Sequence, residues 1–160
     1  MHAHFLRDLG AFMALLEDAP VQQQYPLRVL YMRLWPAMQH HHYELMWQDD
    51  RPVAYVNWAW LTSSTSASYR DTQCMLAEAD WVAGDQLWFM ELIAKNGSLL
   101  SFVQRLTKQF DNSIEVQWHE VSLQGPLVHK TMRLPHRWKS SLGSAQSTVL
   151  LKAHRDPYEN

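Results

Sequence analysis

The sequence predicts an α+β domain. Three observations point there: two apolar stripes at helical spacing before residue 40, a Val-, Tyr- and Trp-rich run from Val53 to Leu61 framed by turn residues, and a later helical pattern followed by two alternating stretches. The 160 residues suit a single domain, 1–160, long enough to bury a core.

Between His4 and Glu17, Phe5, Leu6, Leu9, Phe12, Met13, Leu15 and Leu16 recur at helical offsets, and Asp18-Ala19-Pro20 closes the pattern. Leu27, Leu30, Tyr31, Leu34, Trp35 and Met38 form a similar stripe over residues 26–39. Pro26 suits a helix start, and Pro36 is expected to distort the last turn. Tyr43 to Trp47 alternates weakly, Asp49-Asp50-Arg51-Pro52 supplies turn chemistry, and Val53 to Leu61 is rich in strand formers, which together predict an antiparallel hairpin. Ser64 to Ala79 has room for a short irregular helix, after which Asp80 and the Gly84-Asp85 turn lead into a strand from Leu87 to Ile93. Asn96-Gly97-Ser98 caps a helix expected to run to about Phe110, with Leu99, Leu100, Phe102, Val103 and Leu106 facing inward. Ile114 to Val121 and Leu127 to Leu134 alternate as two further strands. A tail from Pro135, and above all from about residue 140, is expected to be loosely ordered apart from Thr148 to Leu151.

Composition narrows the function classes. Hydrophobic residues make up 47% and charged residues 19%, which is the balance of a globular chain and not of a disordered one. The net charge of -2 argues against a polyanion binder, so nucleic acid is not an expected partner. Cys74 is the single cysteine, so no intrachain disulfide can form and nothing calls for an oxidising compartment. No basic segment leads into a long apolar run at the N-terminus, and no stretch approaches the length of a membrane span. The expected location is the cytoplasm.

The eight tryptophans are the anomaly, and several stand at fixed offsets. Ala54-Tyr55-Val56-Asn57-Trp58-Ala59-Trp60-Leu61 is followed, after a polar gap, by Trp81-Val82-Ala83-Gly84-Asp85-Gln86-Leu87-Trp88-Phe89-Met90-Glu91-Leu92-Ile93-Ala94. Upstream come Tyr25-Pro26, Trp35-Pro36-Ala37-Met38-Gln39, Tyr43 and Asp49-Asp50-Arg51-Pro52-Val53. This constellation, over roughly residues 10 to 110, resembles the RTX toxin-activating lysine acyltransferases, the hemolysin-activating family. The resemblance implies a GNAT-like acyltransferase fold: a mixed, mostly antiparallel sheet flanked by helices. It also implies transfer of a fatty acyl chain from acyl carrier protein to internal lysines of a protoxin.

The same register implies the site. Pro20 and Tyr25-Pro26 align a segment in which Gln22 stands where the family has its catalytic histidine, and Glu91 stands where it has an aspartate. Acyl transfer to lysine needs a deprotonated amine, a polarised thioester carbonyl and contact between them. Glutamine is no base near neutral pH but can donate a hydrogen bond, whereas Glu91 keeps a carboxylate one methylene longer; the plain reading of Glu91 is a polar residue on the solvent face of a strand. Gly97 and Ser98 open a helix whose free amides suit the phosphate of a phosphopantetheine arm, although Gly97 also reads simply as a turn residue. The acyl-phosphopantetheine of acyl carrier protein is thus the expected donor, with no permanently bound cofactor.

Other candidates are weaker. In His40-His41-His42 at most two imidazoles can share a face, and no nearby Cys, Asp or Glu completes a zinc pattern, so a polar loop is expected there and no metal. His119, His129 and His136 read as scattered surface or satisfied histidines, with His119 singled out because the resemblance places its strand beside the acyl-donor channel. Lys130, Arg133, His136, Arg137 and Lys139 form a cationic run, either a docking patch for an acidic carrier protein or a solvated strand end. Two functions stand side by side at this point: a protein-lysine acyltransferase, and a catalytically silent relative that binds a protein partner or acyl group.

Overall fold

A computed structural model describes residues 2–95, 97–106, 108–110, 114–120 and 127–134. Its elements run α1 (His2–Leu15), α2 (Leu27–Gln39), β1 (Tyr43–Gln48), β2 (Arg51–Leu61), α3 (Ser63–Thr72), β3 (Gln86–Ala94), α4 (Leu99–Leu106), β4 (Glu115–Glu120) and β5 (Val128–Arg133), with short 3-10 turns at Leu16–Asp18, Gln22–Gln24 and Glu78–Trp81. The five strands form one sheet in chain order. All neighbours are antiparallel except β3 and β4, and α4 makes the crossover that a parallel pair requires. This is the expected α+β class with a mixed, mostly antiparallel sheet.

Alternation along β2 sorts its side chains onto two faces. Tyr55, Ala59 and Leu61 join the cores under α1, α2 and α3, while Ala54, Val56 and Trp58 join the core that α4 covers through Phe102 and Leu106. The sheet is therefore buried on both sides, which accounts for a β2 in which Ala54 through Ala59 are all buried. Aromatic residues close the helical side: Phe12 meets Tyr55 edge-on at 4.9 Å, and Tyr69 meets Trp88 edge-on at 5.0 Å.

Several boundaries differ from the sequence expectation. Gln48 pairs with Arg51, so the hairpin loop is Asp49-Asp50 alone, both at positive φ (47° and 59°) as a two-residue turn of this hand demands, and Arg51 and Pro52 belong to β2. The stretch from Ser64 to Ala79 holds the expected short helix, α3, in its first half. α3 is capped by the Thr62 side chain, which accepts from the Thr65 amide, and ends where Gln73 turns left-handed; an extended stretch and a separate 3-10 turn follow. Helix α2 continues through Pro36 to Gln39, with Pro36 buried in its last turn. The helix expected to reach Phe110 stops at Leu106. The expected tail from Pro135 lies outside the described residues.

Candidate active site

The site is built on an irregularity in β3. Asn57 of β2 pairs with Glu91, but its neighbour Trp58 pairs with Phe89, so Met90 is an extra residue and β3 carries a bulge. A strict alternation would send Glu91 to the α4 side with Leu87 and Phe89. The bulge instead turns it to the helical side, where Trp88 and Met90 also face, and Glu91 is 4% exposed.

A bulge breaks the ladder and frees backbone groups, and here side chains meet them. The Asn57 side-chain carbonyl accepts from the Glu91 amide at 2.9 Å, and its amide donates to the Arg33 carbonyl at 2.8 Å. The Arg33 guanidinium donates to the Met90 carbonyl at 3.1 Å and to the Tyr69 hydroxyl at 3.2 Å, and forms a short ion pair with Oε1 of Glu91. Gln22, from the turn between α1 and α2, donates its side-chain amide to the other carboxylate oxygen, Oε2, at 3.1 Å. The ring of Tyr25 lies 5.4 Å from the guanidinium carbon. Gln22 and Glu91, separated by 69 residues, are thus brought into contact.

Electrostatics follow from that packing. Burial alone would pull the Arg33 proton affinity down, but the Glu91 carboxylate beside it raises it above its ordinary value, so Arg33 is a fixed cation. Burial pushes the Tyr69 hydroxyl up to about 12, with Glu91 adding to the rise and Arg33 opposing it. Tyr25 rises for the same first two reasons, burial and then Glu91. Both phenols are neutral donors or acceptors at neutral pH. A carboxylate has about four acceptor positions, of which Arg33 and Gln22 take one each, leaving capacity for an incoming N–H.

Beyond the bulge the sheet opens. The parallel pairing of β3 with β4 covers only Leu87 with Val116, Trp88 with Gln117 and Phe89 with Trp118. Glu91 and His119 therefore flank the point where the two strands part. His119 and His129 face each other across β4 and β5, their ring centroids 6.0 Å apart, with Tyr69 and Trp88 each 5.2 Å from the His119 ring.

The remaining candidates are not part of this cluster. Gly97, at φ +85°, and Ser98 follow the end of β3, and the Ser98 hydroxyl donates to the Lys95 and Val53 carbonyls at 2.7 and 3.0 Å. The histidine run forms the turn between α2 and β1: His41 takes a positive φ, and His42 stacks on Trp58 at 5.9 Å. Lys130 lies 3.5 Å from Glu120 and Arg133 is exposed, while His136, Arg137 and Lys139 fall outside the described residues. Arg33, Asn57, Tyr25 and Tyr69 were not singled out as site residues in the sequence. In the sequence Arg33 stands out only as one of two cations, with Arg28, among the apolar residues of α2.

Comparison with known proteins adds an independent finding. The model of the RTX toxin acyltransferase family matches residues 1–134. Curated proteins similar to this chain include a protein-lysine myristoyltransferase of Escherichia coli, 30% identical over 109 residues (68% of this chain, 64% of that protein). An RTX-I toxin-activating lysine-acyltransferase of Actinobacillus pleuropneumoniae is 29% identical over 106 residues, 66% of this chain and 62% of that protein. A protein-lysine myristoyltransferase of Kingella kingae is 29% identical over 107 residues, 67% and 64% of the two chains. The matched stretch spans just under two thirds of the length of each of these relatives.

Proposed function

Because the chain belongs to the RTX toxin acyltransferase family, we propose that it is a protein-lysine acyltransferase that moves a fatty acyl group from acyl carrier protein to internal lysines of an RTX-type protoxin. The observation that carries this reading is the contact of Gln22 with Glu91 at the β3 bulge, the two positions that the resemblance equates with the family's catalytic pair. Its setting in the cytoplasm is part of the same proposal, and no helix among the described residues is long and apolar enough to cross a membrane.

In this reading the thioester arm enters where β3 and β4 part, with its phosphate toward Gly97, Ser98 and the first turn of α4, which begins at the same C-terminal end of the parallel pair. Strands that have stopped pairing offer backbone amides and carbonyls to the amide groups of such an arm. The free acceptor capacity of Glu91 orients the lysine amine. The second N–H of the Gln22 amide, the first being spent on Glu91, is a donor for the oxygen that becomes negative as the amine attacks. Arg33 and Tyr69 hold the carboxylate and the bulge in place.

The test is coexpression of this chain with an RTX protoxin and acyl carrier protein, followed by mass spectrometry of the protoxin lysines. Acylation is expected with the unaltered chain and its absence would refute the reading. Glu91→Gln, nearly isosteric but without the anion, is expected to abolish the product while the far-ultraviolet dichroism is unchanged.

A further inference from the structure

Gln22 cannot accept the proton that the attacking amine must lose, and the Glu91 carboxylate is already tied through one oxygen to the Arg33 cation and through the other to Gln22. The sheet supplies an imidazole at the same edge. His119 is the first residue of β4 past its last partner on β3, as Met90 and Glu91 are on β3. Its Nε2 lies 3.2 Å from the Arg70 carbonyl oxygen, an atom that only accepts, so Nε2 carries the proton and Nδ1 keeps its lone pair. That Nδ1 is buried and has no hydrogen-bond partner among the described residues. An orphaned buried acceptor is costly and calls for an explanation.

We propose that His119 is the proton acceptor of the acyl transfer, taking at Nδ1 the proton that position 22 cannot take. The inference rests on the acyltransferase reading above. The groups facing the ring are Tyr69 and Arg70 of α3, His129 of β5, Trp88 of β3 and, farther off, Arg33 of α2. Burial first, and then the nearby His129 and Arg33, hold the imidazole below its ordinary proton affinity, against the opposing pull of the Arg70 carbonyl, so it is a neutral acceptor at pH 7. Tyr69 joins the two halves of the site, since its hydroxyl accepts from Arg33 while its ring packs on His119.

The step balances. As the neutral lysine amine forms its C–N bond to the thioester carbonyl, the surplus proton on nitrogen passes to Nδ1. The C–S bond then breaks, the departing thiolate takes that proton from the imidazolium, and amide and free thiol leave with the imidazole restored. Nδ1 is buried in the free chain, so the transfer requires that donor binding open the edge where β3 and β4 stop pairing.

His119→Gln separates base from support, because the glutamine amide nitrogen can keep the bond to the Arg70 carbonyl while no base is left. With myristoyl-acyl carrier protein and a protoxin as substrates, this variant is expected to lose about 100-fold or more in rate. His119→Ala is expected to be equally slow and to regain activity when free imidazole is added, which a purely structural role would not produce. Near-normal rates in His119→Gln overturn the inference. Should that variant unfold, failure of imidazole to rescue a folded His119→Ala overturns it instead. An unaltered chain that transfers nothing defeats the acyltransferase reading itself, before any variant is compared, and this inference falls with it.

Discussion

At the scale of single residues, the candidate site turns on how one buried anion is satisfied. The Glu91 side chain is 2% exposed and Arg33 20%, so the pair is screened little by solvent. Removing the cation strands the carboxylate: Arg33→Met is expected to lower unfolding free energy by about 3–5 kcal/mol in urea titrations. Arg33→Lys should recover only part of this, because an ammonium cannot reach the Met90 carbonyl, Glu91 and Tyr69 with the fixed fork that the guanidinium uses. Equal stability of the methionine variant and the unaltered chain would show that the pair does not hold the bulge. The contact between Glu91 and Gln22 is foreshadowed in the sequence by the register of their neighbours. Arg33 is not, because nothing in a linear pattern says which charge on α2 will lie opposite a strand 58 residues away.

At the scale of elements, most of the architecture was legible where side-chain period and turn chemistry agreed. β2 alternates without a break along its whole core and was read nearly to its ends. The bounds of α3 are not legible, because Ser63–Thr72 buries only Ser66 and Tyr69, which leaves almost no apolar stripe to read. Gly84 shows an element joined by close approach: a Cβ there would sit 2.2 Å from the Leu61 carbonyl oxygen and 2.3 Å from the Thr62 nitrogen, both backbone atoms, while the Gly84 amide donates to the Trp60 carbonyl at 2.9 Å. Gly84→Ala must therefore push the Trp81–Gly84 segment off the end of β2, at an expected cost of about 1–3 kcal/mol. Differential scanning calorimetry checks this, and an unchanged Tm would mean that the segment is not seated as described.

At the scale of the whole molecule, stability is expected to fall on both sides of neutrality. A tyrosine held above its ordinary value binds its proton more tightly folded than unfolded, so its contribution is complete below pH 10 and is lost as the pH rises towards about 12, the value to which burial pushes Tyr69 and Tyr43. His42, His119 and His129, all lowered first by burial, are the mirror case: their contribution is complete above pH 6.5 and is lost as the pH falls through their folded-state values. Urea midpoints measured from pH 5 to 12 should form a plateau between those limits, and Tyr69→Phe should flatten its alkaline edge. A midpoint that rises on acidification from pH 7 to 5 would contradict the histidine assignment. By itself the linear chain determined the order of helices and strands, the family and the two positions of the candidate pair, because spacing, turn residues and aromatic offsets are local properties. Only the tertiary structure decided that Glu91 faces the helices, that Arg33 neutralises it and that His119 stands across the opening. One extra residue in β3 reverses a side chain's face, and a strand's period cannot announce where its ladder will slip.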